Sequence, residues 1–352
     1  MDRRDFVQQV AALALGVTGM AALDIDRLTA LLPHADPTGI RHVGASDVAI
    51  IEQATAAFSR QDFATGAGPV RDLAVAQLRS VLPVLGAQMT PEVRPRLYLA
   101  TARLATQAGW MSFEVNQHEA ARRLWVIALE IARDTDHPLA TDQTVFVLYD
   151  MALQALELGR PDEALRLAQL GHTAAVSAHP VSEATMSCLT NIQAWAYATK
   201  SDATACDRAL GQAVEHFTSI DPSHNSWADF LDETMLASYQ GDTYYKLAVA
   251  NRDPQAAGRA VALFRHTVDH FGPDYAQPRA LDLTGLAAAH AIVGDVDTVG
   301  HQAIDAVTAL HSPRAYDRLR VLNTALQPLH TSAAVAELRD RLSATTSKLT
   351  EG

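Results

Sequence analysis

The chain has 352 residues, 48% of them hydrophobic and 19% charged, with a formal net charge of −12. The hydrophobic fraction excludes disorder throughout. The acidic balance, with no basic run of five residues, argues against direct nucleic-acid binding, which needs clustered cations at the phosphates.

Met1–Leu23 opens with Arg3-Arg4-x-Phe6 and an apolar run from Val10 to Leu23, the outline of a twin-arginine export signal. The run is short, interrupted by Gly16, Thr18 and Gly19, and continues directly into Asp24-Ile25-Asp26-Arg27-Leu28. It is too short to span a bilayer, and residues 1–32 are predicted as an internal helix of a cytoplasmic protein, with export as the alternative. Residues 33–45 form a Pro-, Gly- and His-containing linker. Ser46-Asp47 caps a predicted helix to about Arg60, with Val48, Ile51, Ala54 and Phe58 on one face. Gly66-Ala67-Gly68-Pro69 breaks the chain before a further helix to about Leu85. Residues 1–90 thus read as an N-terminal helical cap.

From residue 91 the pattern becomes periodic. Phe146–Val176 reads as two amphipathic helices joined at Gly159-Arg160-Pro161-Asp162. Gly159 suits a left-handed helix end and Pro161 the start of the next helix. Small residues at Ala152, Ala164, Ala168 and Gly171 mark a close seam. The marker Ala164-x3-Ala168 has counterparts beginning at Ala120, Ala205, Ala256 and Val299, spaced 44, 41, 51 and 43 residues apart. Prolines at 138, 180, 222, 273 and 313 separate the units, because proline cannot continue a helix. The predicted pairs are 93–115 with 118–134, the two helices of 146–176, 182–199 with 204–219, 227–250 with 255–271, and 277–293 with 296–310. A long first helix in the fourth pair accounts for its wider spacing. Helices at 316–326 and 332–347 close the chain. No strand-period alternation of useful length occurs. The expected fold is all-α: a tetratricopeptide-like right-handed solenoid of about five hairpins over 91–352, with a period above the ~34 residues of the ordinary repeat.

The ordered landmarks resemble the sensor region of actinobacterial Xre-type helix-turn-helix transcriptional regulators. They are Arg3-Arg4-Asp5-Phe6; Arg41-His42-Val43-Gly44 leading to Asp47-Val48; and Gly109-Trp110-Met111-Ser112-Phe113-Glu114 leading to Glu119-Ala120-Ala121-Arg122-Arg123. Ala128-Leu129-x-x-Ala132-Arg133, Leu158-Gly159-Arg160-Pro161-x-Glu163-Ala164 and Gly294-Asp295-Val296-Asp297 follow. Members of that class carry a helix-turn-helix domain ahead of the Arg-Arg-x-Phe segment, whereas this sequence begins at it. The resemblance implies a regulatory setting in which a DNA-binding regulator is one candidate partner.

Repeats of this kind bind partners on the concave surface lined by the first helix of each pair. The register places Tyr149, Asn191 and Trp195 there, joined by Tyr239, Asp242 and Tyr245. Aromatics supply contact area, and an asparagine offers a donor and an acceptor to a peptide backbone. Trp195 and the tyrosines also suit ordinary core positions. Trp110, Phe113 and Glu114 form a second cluster, in which Trp110 reads as packing against the N-terminal cap rather than binding. His266 and His270 share a helix face with Asp269, and His290 could join them. Thr267 nevertheless stands where a zinc-protease motif needs glutamate, so no metal is assigned. Cys188 and Cys206 read as small buried thiols, a disulfide being the alternative.

No nucleophile elbow, phosphate loop or dinucleotide fingerprint is present, so neither an enzyme nor a cofactor is expected. The expected function is a regulatory sensor or adaptor that binds a peptide, a small signal or a partner protein in its groove. The alternative is a structural or assembly adaptor, or an accessory protein to an enzyme, without a signal ligand.

Overall fold

The computed structural model describes residues 42–176, 179–221, 227–294, 299–329 and 333–347. The apolar segment before residue 42 and its export or internal-helix reading lie outside them, as do Pro222 and Asp295–Asp297.

Among the described residues there are fourteen α-helices and no strand. They are α1 (Ala45–Thr65), α2 (Arg71–Val81), α3 (Val93–Glu114), α4 (His118–Arg133), α5 (Ala140–Glu157), α6 (Pro161–Ala175) and α7 (Glu183–Thr199). Then come α8 (Ala203–Thr218), α9 (Glu233–Asn251), α10 (Pro254–His270), α11 (Ala276–Val293), α12 (Val299–Thr308), α13 (Pro313–Ala325) and α14 (Ala333–Ser347). None is long and apolar enough to cross a membrane.

The described residues divide into two compact units. The first takes those up to Arg60, with Pro69–Leu189 and His216–Ala228; the second takes Gln61–Gly68, Thr190–Glu215 and Asp229 onward. Helices α1, α7 and α8 each contribute to both.

In the first unit α3 packs on α4, α4 on α5 and α5 on α6, while α3 also meets α5 directly. Short connections make sequential neighbours antiparallel. The additional contact between alternate helices is what a stack of helix pairs produces, and the packing is consistent with an α-solenoid. Gly159 has φ +71°, as its place at a left-handed helix end requires. There the Arg160 N–H donates back to the Ala155 carbonyl at 2.8 Å. Ala152, Ala164 and Ala168 are fully buried at the seam. Gly171 answers to the next pair instead, since a Cβ there would stand 2.7 Å from Leu189 on α7. Gly109 is small because the Trp125 indole of α4 fills its side-chain space: a Cβ would lie 2.5 Å from Trp125 Nε1. Helix α1 is tied to this unit by Arg96, which donates from two nitrogens to the Glu52 carboxylate at 2.9 and 2.6 Å. Asp47 lies inside α1 and accepts from the Gly44 N–H at 2.8 Å, the returning half of a capping box.

In the second unit α9 packs on α10, α10 on α11 and α11 on α12, with α9 also on α11 and α11 on α13. Phe264 of α10 is seated between two glycines. A Cβ on Gly241 of α9 or Gly285 of α11 would approach its ring to 2.8 and 2.7 Å respectively. After α1 the chain is clasped by the α12–α13 connection, where the His311 N–H donates to the Thr65 carbonyl and the Gly68 N–H donates to the His311 carbonyl.

Three expectations need correction. The fourth pair's first helix starts at Glu233, not at Trp227, and its 19 residues are fewer than the 22 of α3. The wide spacing therefore comes from the connection before α9, where Trp227–Phe230 is a turn and Asp232 caps the helix by accepting from the Met235 N–H. The helix toward Leu85 ends at Val81, and a 3-10 turn follows over Leu82–Gly86, with Pro83 near its start. The first closing helix starts at Pro313, behind a Ser312 cap, rather than at residue 316.

Candidate functional site

The six groove candidates do not behave alike. Tyr149 of α5 is 1% exposed and packs against Phe146 in the first unit. The Trp227 ring stands 6.4 Å from that phenylalanine and lies beneath the Arg103 guanidinium at 3.9 Å. Tyr149 is therefore part of an aromatic layer.

Asn191, Trp195, Tyr239, Asp242 and Tyr245 all belong to the second unit, on α7 and α9. Asn191 and Trp195 are four residues apart and share one helix face. Asn191 is 0% exposed and Trp195 3% exposed. Neither Asn191 Oδ1 and Nδ2 nor Trp195 Nε1 has a hydrogen-bond partner. Burying such groups unbonded costs about 1–3 kcal/mol each, so native proteins rarely leave three together.

Two cations flank the same indole. Lys246 Nζ stands 5.6 Å from the Trp195 ring centroid, and the Arg318 guanidinium 5.7 Å from it. Arg318 comes from α13 and also grips Asp242 of α9, donating from two nitrogens at 3.0 and 3.3 Å. Both partners of that pair are largely shielded, with side-chain exposures of 11% and 16%. Tyr245 is buried beside them, and burial, opposed by Arg318 and reinforced by Asp242, pushes its hydroxyl up to about 12. Tyr239 is half-buried one turn before Asp242.

Below Asp242 lies a second carboxylate, Asp282 of α11, fully enclosed. It accepts from Ser238 Oγ at 2.8 Å and meets Thr267 Oγ1 at 2.5 Å. Thr267 has one hydroxyl proton and a second acceptor in reach, the Phe264 carbonyl at 3.0 Å. The Thr267 hydroxyl therefore divides its one proton between the Asp282 carboxylate and that carbonyl. Burial pushes this carboxyl up to about 7; the Thr267 contact opposes the shift and nearby Asp242 adds to it.

Lys246, Arg318, Ser238 and Asp282 were not anticipated. The repeat spacing carried a signal for one of them: advancing Trp195 by the 51-residue step reaches Lys246. The same steps relate Asp150, Asn191 and Asp242. Asp150 of α5 is buried with Oδ2 unpartnered, and burial holds its carboxyl well above the usual range. One step back from Trp195 is Gln154, whose environment is complete. Arg122 donates to its Oε1 at 2.7 Å, and its Nε2 donates to the His118 carbonyl at 3.2 Å. Arg122 also pairs with Glu163 at 2.8 Å. The equivalent position is thus satisfied in the first unit and unsatisfied in the second.

The histidines of α10 do not converge on a centre. The rings of His266 and His270 stack at 4.0 Å, and His270 Nδ1 donates to the His266 carbonyl at 2.7 Å. His290 accepts at Nε2 from Arg265. Among the described residues no group of three potential ligands could hold a metal. Cys188 and Cys206 are both buried free thiols, so the disulfide alternative is not adopted. Trp110 is partly buried and meets Phe113 of its own helix edge-on at 5.5 Å. The chain matches no protein-family model and no curated protein.

Proposed function

We propose that the chain is a tetratricopeptide-like regulatory sensor or adaptor, and that the α7–α9–α13 face around Asn191 and Trp195 is where it takes a peptide, a small signal or a segment of a partner protein. The observation carrying this reading is the trio of buried, unpartnered hydrogen-bonding atoms on one face of α7, beside Lys246 and the Arg318–Asp242 pair. A partner that completes those bonds stabilises the conformation that presents them and so couples occupancy to the chain's next contact. The resemblance to Xre-type regulators supports a DNA-binding regulator as that contact. The reading is non-enzymatic, involves no cofactor and places the protein in the cytoplasm.

A second reading, a structural or assembly adaptor without a signal ligand, is favoured by one observation: Tyr149, Asn191, Trp195 and Tyr245 are all buried in the chain alone. Native mass spectrometry of the protein purified from its own cells separates the two. A retained small molecule or peptide is expected. An empty chain that co-purifies with a protein would transfer the weight to the adaptor, and a mass shortened at the N-terminus would mean export.

A further inference from the structure

The unpartnered atoms around Trp195 specify more than occupancy. Trp195 Nε1 can only donate; Asn191 can donate through Nδ2 and accept through Oδ1. None of the three is matched. An incoming group must therefore bring at least two acceptors and one donor to a single face of α7. Lys246 and Arg318, each within 6 Å of the indole centroid, set the charge that this face favours on those acceptors. A negatively charged acceptor for Trp195 Nε1 that can also meet those cations is a carboxylate, and charge-assisted bonds to it exceed neutral ones about twofold in strength. The remaining donor-and-acceptor need at Asn191 is the complement of a secondary amide, which offers one N–H and one C=O.

Resting on the reading of this face as a ligand site, we propose that it recognises a carboxylate set next to an amide: the free C-terminus of a peptide or an N-acylamino acid. The carboxylate oxygens accept from Trp195 Nε1 and from the Arg318 and Lys246 side, while the adjoining amide pairs with Asn191. Arg318 is already held by Asp242 at 3.0 Å. The arginine is therefore positioned before the ligand arrives, which lowers the ordering cost of binding. Asp242 has the role of a positioning residue.

The test uses the full-length protein labelled with 15N in its indoles. Its four tryptophans give four Nε1 resonances, and Trp195→Phe assigns the relevant one. Two pools of N-acetylated tripeptides of mixed sequence, one ending in free acids and one in amides, are titrated alongside N-acetylglycine. A shift of the Trp195 resonance with the acid pool, at least about tenfold weaker with the amide pool, is expected, since tenfold corresponds to one lost charge-assisted bond. Asn191→Leu abolishes the shift. Arg318→Gln reduces it, and the double variant Arg318→Gln/Asp242→Asn, which leaves no unpaired buried charge, reduces it equally while keeping all four indole signals dispersed. A response to N-acetylglycine points to acylamino acids, and a response to tripeptides alone points to peptide termini. Equal shifts with acids and amides would overturn the proposal while leaving the groove reading intact. No shift with either pool would overturn the proposal too, and the retained mass in native spectrometry would then decide the groove reading separately.

Discussion

Replacing Asn191 with leucine is expected to stabilise the protein, which is the opposite of what most core substitutions do. Leucine is close to asparagine in volume, so the change leaves little cavity or clash at a position with 0% exposure. It removes two buried polar atoms that make no hydrogen bond. A single unsatisfied group costs about 1–3 kcal/mol. The Trp195 Nε1 group remains unsatisfied in the variant, so only the asparagine's share is recovered. A gain of about 1–2 kcal/mol follows, seen as a higher urea midpoint by far-ultraviolet circular dichroism and a thermal midpoint raised by roughly 1–3 °C. Loss of the proposed ligand is expected in the same variant, so that stability and binding move in opposite directions, as where a site is kept at the expense of the fold. A loss of 1 kcal/mol or more would refute the reasoning, since it would mean that the Asn191 amide is bonded in the native chain.

Other consequences are equally direct. Asp282 has a carboxyl raised to about 7 when folded and near 4 when unfolded, so folding takes up a proton between those values. Its contribution is complete below about pH 4 and is lost as the pH rises toward 7, at up to about 1.4 kcal/mol per pH unit. The stability difference between wild type and Asp282→Asn, followed by urea titration from pH 4 to 8, is expected to show that slope; a flat difference would contradict it. Arg318→Gln strands a shielded Asp242 and is expected to cost about 3–5 kcal/mol, whereas replacing both partners with apolar residues costs much less. Equal losses in chemical denaturation would show that the pair is not electrostatically coupled. Gly285→Ala pushes a methyl group to 2.7 Å from the Phe264 ring and is expected to cost about 1–3 kcal/mol, measured by thermal melting. The Cys188 and Cys206 thiols, pushed up by burial, are expected to resist alkylation at pH 8 until urea unfolds the chain. Rapid labelling of the native protein would show one of them to be accessible.

The helices were legible because both of their punctuation marks are local. Gly159 followed by Pro161 announces a helix end and a helix start within three residues, and the small-residue marker announces close packing. The connection before α9 was misread because Trp227–Phe230 is apolar enough to extend a helical pattern, while the cap that fixes the true start is a single aspartate, Asp232. Within the candidate site, repeat register is what places Asn191 and Trp195 on one helix face. Arg318 was not, because it reaches Asp242 from 76 residues away in sequence and no repeat spacing links the two. Burial was illegible for the same reason: nothing local to Tyr149 distinguishes an aromatic layer from a binding surface.

The proposed ligand site is the Asn191–Trp195 face of α7. Its most direct test is native mass spectrometry of wild type and Asn191→Leu, each purified from the protein's own cells under identical conditions. An added mass is expected on the wild type and not on the variant, with the variant folded and at least as stable. The same mass on both chains, or none on the wild type, would contradict it.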